Sequence, residues 1–163
     1  MAITLPDAND EKCLTLFEKV KKELFSYSES INIKNVDQKF FKEIVIPIAL
    51  YLIGLDKTSK PVLIGLTGGQ GSGKTTLSDF VQLTLKKGFN KKTTGFSIDD
   101  IYKSPRDRKL LGEKIHPMCG VRGVPGTHDV DLGLKTIESL NNASNTTITS
   151  IPVFSKPLDK HLP

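Results

Sequence analysis

The spacing of apolar positions switches between helical and extended along the chain. From Glu11 to Phe25, Cys13, Phe17, Val20 and Leu24 recur at helical intervals with Lys and Glu between them, which predicts an amphipathic helix. Val36 to Leu55 carries Phe40, Phe41, Ile44, Ile48, Tyr51 and Leu52, but Pro47 lies inside the run, so two helices or one kinked helix both fit. Asp56 to Lys60 reads as a polar linker. Pro61 to Thr67 is then a short apolar run ending in glycines, the form of a buried parallel strand. From Lys74 to Lys87 the helical period returns, with Leu77, Phe80, Val81 and Thr84 on one face and Gly88 placed as a stop. Thr93 to Ile98 is strand-like, and strand, helix and strand together make a βαβ unit.

Further on, Pro105 to Glu113 reads as a basic helix and Gly120 to Asp129, rich in turn formers, as a loop. Asp131 to Leu140 places Leu132, Leu134, Ile137 and Leu140 for another helix, followed by a polar turn over Asn141 to Asn145. Thr146 to Phe154 alternates and is β-branched, which predicts a third strand. The fold class expected is therefore α/β: a parallel sheet flanked by helices, with a helical segment over 1–60 and the core over 61–163.

Composition narrows the classes. The 163 residues are 37% hydrophobic and 25% charged, which fits a globular domain and argues against disorder, collagen or a coiled coil. No apolar run approaches the roughly 18 residues a membrane helix needs, and Asp7, Asp10 and Glu11 do not suit a signal peptide. A cytoplasmic location is the expectation, with no membrane partner. Cys13 and Cys119 lie far apart and lack metal-type spacing, which favours reduced thiols.

The net charge of +5 is unevenly placed, because Lys balances Asp and Glu through residue 60 and the excess lies beyond it. The densest basic stretch, Lys86 to Arg122, suits a surface that handles phosphates or simply a solvated face. It lacks the interleaved aromatics of a nucleic-acid platform, so no nucleic-acid partner is expected.

The strongest chemical signal is Gly68-Gly-Gln-Gly-Ser-Gly-Lys-Thr75, which meets G-x-x-x-x-G-K-[ST] at every position between a predicted strand and a predicted helix. Glycine lets the backbone turn tightly enough to aim successive N–H groups at an anion, and the helix that follows adds the positive end of its dipole. Gly68, Gly69, Gln70, Gly71, Ser72, Gly73, Lys74, Thr75 and Thr76 are thus the candidate nucleotide-binding residues. Lys74 offers a mobile charge for the β- and γ-phosphates, and the Thr75 hydroxyl a ligand for Mg²⁺. The competing reading is a glycine-rich turn at a helix start. The DxxG and NKxD segments of G-proteins are missing, and the stretch resembling a transporter-ATPase signature overlaps the phosphate loop itself.

Ser97-Ile-Asp-Asp100 follows the second predicted strand, where an open parallel sheet gathers its ligands. Asp99 and Asp100 are therefore expected to face the phosphates, where a carboxylate accepts a hydroxyl proton or holds Mg²⁺. An Asp pair that merely caps the next segment is the alternative.

The phosphate loop, Phe96-Ser-Ile-Asp-Asp-Ile-Tyr102, Arg122-Gly-Val-Pro-Gly-Thr-His-Asp129 and Ile151-Pro-Val-Phe-Ser-Lys156, taken in that order, resemble the motifs of D-glycerate 3-kinase-like proteins. That group is similar to the uridine kinase, phosphoribulokinase and pantothenate kinase branch of P-loop kinases. The likeness covers about 62–158, and the Arg-Gly-x-Pro-Gly-Thr-His-Asp element is its most specific part. It implies a P-loop NTPase-type sheet, ATP and Mg²⁺ as cofactors, Asp99 as catalytic base and metal ligand, and a small hydroxylated, anionic acceptor. Asp100, Tyr102, Arg122, His128, Asp129 and Lys156 would line or support the acceptor site.

Plainer readings stand beside these: His128 as a loop brace, Asp129 as a helix cap, and Arg122 paired with Glu113. Arg106 and Arg108 either clamp an anion or belong to a solvated basic helix. Ile101 stands where the family usually has Phe, and Ser155 where it usually has Asp. The family's following strand ending in Glu-Gly-Trp and its basic lid have no counterpart, so the expectation is an incomplete sheet and a chain that binds phosphate but transfers it poorly or not at all. The functional expectation is a Mg-ATP-dependent kinase of a small hydroxyl compound, D-glycerate by resemblance. The alternatives are a nucleotide-binding relative without transfer, an ATPase acting on a protein, and a uridine- or pantothenate-type kinase. No oligomeric state follows from the sequence.

Overall fold

The structure, a computed structural model, describes residues 4–55, 60–144 and 146–162. The chain divides into two compact units, Met1–Thr94 and Gly95–Pro163. Each is taken by itself.

The first unit begins with α1 (Glu11–Ser30), whose N-cap Asp10 accepts the Lys12 N–H at 3.1 Å. Its buried face is Cys13, Leu16, Phe17, Val20 and Leu24, so the expected stripe is the one that packs. The helix continues past the expected end because Ser28, though buried, gives its hydroxyl to the Phe25 carbonyl at 2.7 Å and adds no unsatisfied group. Next, α2 (Gln38–Phe40) runs through a π-helical turn, Phe41–Val45, into α3 (Ile46–Leu55). Of the two options for this stretch, the structure has one deformed helical run. The Ile46 N–H reaches back to the Phe41 carbonyl, and this widened turn comes just before Pro47, which has no N–H to donate. Of the linker expected over 56–60, residues 56–59 lie outside the described residues.

α4 (Lys74–Phe89) carries the glycine loop at its N-terminus and packs on α1 and α3. Phe80 of α4 meets Phe41 edge to face with ring centres 5.0 Å apart, and Phe41 meets Phe25 at 5.1 Å. This aromatic cluster anchors the helix that presents the loop. Gly88 does not stop α4. It lies inside the helix, where a Cβ would come within 2.6 Å of Leu16 Cδ1, so glycine permits the close approach of α1. The stop is Asn90, in the left-handed region at φ 53°.

The expected βαβ unit is not shown among the described residues. Residues 61–69 and 91–97 belong to no ladder among the described residues, and Val62, Leu63, Ile64 and Leu66 are exposed. A strand of a parallel sheet has no stability of its own; it needs hydrogen-bonded neighbours, and none pairs with these segments here. The described chain is mostly helical, and its single sheet is the antiparallel pair β1 (Phe154–Ser155) and β2 (Lys160–His161).

That pair belongs to the second unit. A 3₁₀ turn, Ile98–Ile101, leads to Tyr102, which bridges to His128. α5 (Pro105–Lys114) starts at Ser104, whose hydroxyl accepts the Asp107 N–H, and a second 3₁₀ turn, Pro117–Gly120, packs on it. α6 (Val130–Asn141) follows the loop over 120–129. Its fully buried positions are Gly133 and Thr136, with the expected Leu132, Ile137 and Leu140 half-buried beside them, whereas Leu134 is 60% exposed and lies off the packing face. The small residues turn inward because Ile101 Cδ1 sits where a Cβ on Gly133 would meet it at 3.0 Å. The strand expected over 146–154 is likewise reduced to its last residue, with Ile148 96% exposed. No helix among the described residues is long and apolar enough to cross a membrane.

Candidate functional site

In the first unit the glycine loop closes on itself. Gly71 and Gly73 have φ of 74° and 78°, values that a side chain disfavours, and the Ser72 N–H reaches the Gly69 carbonyl at 3.3 Å. At Gly68 a Cβ would stand 3.0 Å from Ser72 Oγ, so the loop's curvature uses the space a side chain would fill. α4 begins at Gly73 with no side-chain cap, which leaves first-turn amides to other partners. Lys74 Nζ donates to the Gly68 and Gly69 carbonyls at 2.8 and 2.7 Å. Thr75 is exposed and Thr76 half-buried in the first turn, with Gln70 at the exposed loop tip. An uncapped helix start behind left-handed glycines and a lysine is an arrangement suited to an oxyanion.

In the second unit the acid pair divides its work. Asp100 is a cap: Oδ2 accepts the Ser97 N–H at 2.8 Å and Oδ1 the Phe154 N–H at 3.2 Å. Asp99 points elsewhere, accepting Tyr102 Oη–H at 2.8 Å and Lys156 Nζ at 2.7 Å. The Lys156 hydrogen bond first, then the Tyr102 hydroxyl, holds the Asp99 carboxyl below the usual carboxylate range. The Tyr102 hydroxyl is pushed up, chiefly by burial and then by Asp99.

The Tyr102 ring stacks on His128 with centres 4.5 Å apart and meets Phe154 edge-on at 5.5 Å. His128 Nε2 is buried without a hydrogen-bond partner among the described residues. Asp129 caps α6 through the Leu132 N–H at 3.0 Å, and its own N–H reaches the Ile101 carbonyl at 2.6 Å. Ile101 is buried, as an apolar residue at that position should be.

Arg122 does not pair with Glu113. Its Nη1 donates to the Lys156 carbonyl at 2.8 Å and stands 3.4 Å from Asp159 Oδ1, while the guanidinium lies over the Phe154 ring. Asp159 also takes Arg108 Nη2 at 2.5 Å. Asp99, Tyr102, His128, Arg122 and Lys156 are thus gathered in one unit, with Asp100 and Asp129 bracing the backbone around them. Sequence reading missed Asp159, which has no motif and pairs with a residue 51 positions away. It also left Arg108 as one of two basic residues on a helix, though this one is buried.

Among the described residues no group of three His, Cys, Asp or Glu side chains is placed to hold a metal ion. Magnesium does not require one, because it usually takes one or two protein oxygens together with phosphates and water.

Comparison with known proteins finds partial relatives named as kinases. The chain is 31% identical over 99 residues to a Schizosaccharomyces pombe protein named as an uncharacterized kinase, mug58, covering 60% of this chain and 35% of that one. It is 32% identical over 99 residues to the chloroplastic D-glycerate 3-kinase of Arabidopsis thaliana, covering 59% of this chain and 22% of that protein. It is 35% identical over 103 residues to a Saccharomyces cerevisiae protein named as a probable ATP-dependent kinase, TDA10, covering 59% and 36%. The chain therefore spans about a third of the length of the two yeast relatives and about a fifth of the plant one. No protein-family model and no solved structure matches it.

Proposed function

We propose that the chain carries the nucleotide-binding and proton-accepting parts of an ATP- and Mg²⁺-dependent kinase that phosphorylates a hydroxyl of a small anionic compound, D-glycerate first among the candidates. The observation that carries this reading is the glycine loop: an uncapped start to α4, left-handed Gly71 and Gly73, and Lys74 folded onto the loop's own carbonyls. Those carbonyl contacts are exchangeable for phosphate oxygens. Kinase names among the partial relatives, one of them a D-glycerate 3-kinase, support the same direction.

In this reading the amides of Gly69 to Thr76 and the Lys74 ammonium bind the β- and γ-phosphates. Thr75 in the first unit and Asp99 in the second are each proposed as a Mg²⁺ ligand, and the ion would neutralise phosphate charge when bound. Asp99 is ionised at neutral pH and takes the proton of the acceptor hydroxyl as its oxygen bonds to the γ-phosphorus. The bond to the ADP oxygen breaks with its electron pair, and Asp99 ends protonated. Tyr102 and Lys156 orient Asp99; Arg122 and His128 face the acceptor. Asp100 and Asp129 spend their carboxylates on backbone N–H groups and act as positioning residues. The division into a helical 1–60 and a kinase core over 61–163, with a parallel sheet built on 61–67 and 93–98, belongs to this proposal too.

A second reading, nucleotide binding without transfer, is favoured by the exposed Val62 to Leu66 segment, which no ladder supports behind the loop. Calorimetric titration with Mg-ATP, together with an acceptor panel of D-glycerate, uridine and pantothenate and labelled ATP, separates the two. Binding with phosphorylated glycerate supports the kinase; binding without any product supports the second reading; no binding contradicts both.

A further inference from the structure

Arg108 is the most deeply buried charged side chain among the described residues, 3% exposed, yet only Nη2 has a partner. Its Nε and Nη1 are buried with no hydrogen-bond partner among the described residues. A guanidinium removed from water in this way is costly unless each N–H finds an acceptor. Arg108 also lines a cleft of about 370 Å³ with Gly120, Val121, Arg122 and Asp159. That is room for several waters or for a small carboxylate or phosphate.

Charge balance says what the cleft lacks. Arg108 and Arg122 converge on one carboxylate, Asp159, at 2.5 and 3.4 Å, so two permanent cations share one anion. Asp159 itself is unusual. It sits in the turn between β1 and β2 at φ 50°, and its Oδ1 is buried without a hydrogen bond, since the 3.4 Å approach of Arg122 is an ion pair only.

We infer that this cleft is an oxyanion-binding site in which Arg108 and Arg122 receive a monoanionic carboxylate or phosphate group, with Asp159 as a built-in competitor for the same guanidinium groups. The ligand's oxygens satisfy the Arg108 N–H groups and restore neutrality. The cleft shares Arg122 with the acceptor site proposed above, but anion binding at Arg108 is read without phosphoryl transfer, so either can fail without the other.

The test follows the Arg108 Nε–H resonance by ¹H–¹⁵N NMR in the 163-residue chain carrying Lys74→Ala, which silences phosphate binding at the glycine loop. Acetate and inorganic phosphate are titrated separately at low ionic strength. A saturable shift with either anion supports the site, and the tighter one identifies the carboxylate or the phosphate source. Asp159→Asn removes the competing charge while keeping a residue that tolerates the left-handed turn, so anion affinity should rise about fivefold or more. Arg108→Gln should abolish saturation. An unmoved Arg108 resonance with both anions, or an Asp159→Asn variant that binds no more tightly, overturns the proposal.

Discussion

Lys156 Nζ lies 2.7 Å from Asp99 Oδ2, joining two residues 57 positions apart. This contact, with the Tyr102 hydroxyl on the other oxygen, ties the turn before α5 to the end of β1 and keeps the carboxyl ionised.

Replacing Lys156 with Gln should raise the Asp99 pKa toward the ordinary carboxylate value, read by ¹³C NMR titration of the side chain. The folded-state pKa is depressed, so the pair stabilises the fold above the ordinary carboxylate pKa, and the contribution is lost as pH falls through the lower folded value. Both side chains are more than a third exposed, which limits that contribution to about 1 kcal/mol or less. The Gln variant should therefore lose little stability at pH 7 and show a weaker acid dependence. An unchanged Asp99 titration would remove Lys156 from this role.

Gly88→Ala sets two effects against each other. Alanine favours a helix interior over glycine by about 1 kcal/mol, but a Cβ at 2.6 Å from Leu16 Cδ1 overpacks the contact between α1 and α4, at about 1–3 kcal/mol. The clash should win in the native background and lower Tm by a few degrees. In a Leu16→Ala background the same change should become stabilising. Additive effects in thermal unfolding would argue against the contact.

Gly73→Ala forces a side chain into φ 78°, at about 1–2 kcal/mol. The strain falls where the loop's amides meet the start of α4, so Mg-ATP affinity in calorimetry should drop about tenfold or more while helix content by circular dichroism stays. Unchanged affinity would mean that the loop does not hold the nucleotide.

The helical part of the first unit was legible because its information is local. Cys13, Phe17, Val20 and Leu24 declare a stripe, and that stripe is what α1 buries. The glycine loop was legible for the same reason, since its spacing and the following helix are contiguous. The extended runs were not, because whether Val62 to Leu66 forms a strand depends on neighbours that their own pattern does not contain. Gly88 looked like a stop until Leu16 was seen against it. α6 shows the same limit: its apolar pattern marks Leu132, Ile137 and Leu140, which are half-buried, but not Gly133, whose lack of a side chain lets Ile101 approach. In the acidic cluster, the adjacent Asp99 and Asp100 were visible as a pair, but only their partners separate the carboxylate held by Tyr102 and Lys156 side chains from the backbone cap. Asp159 and the burial of Arg108 were invisible, because each is defined by the other.

The most direct measurement is transfer of labelled γ-phosphate from ATP to D-glycerate by the chain and by its Asp99→Asn variant, with Mg-ATP binding checked in both. The expected result is slow phosphoglycerate formation by the unaltered chain and a rate lower by about 10²–10⁴-fold in the variant, at similar nucleotide affinity. An Asn variant that turns over as fast as the unaltered chain, or a chain that does not bind Mg-ATP, would contradict the account.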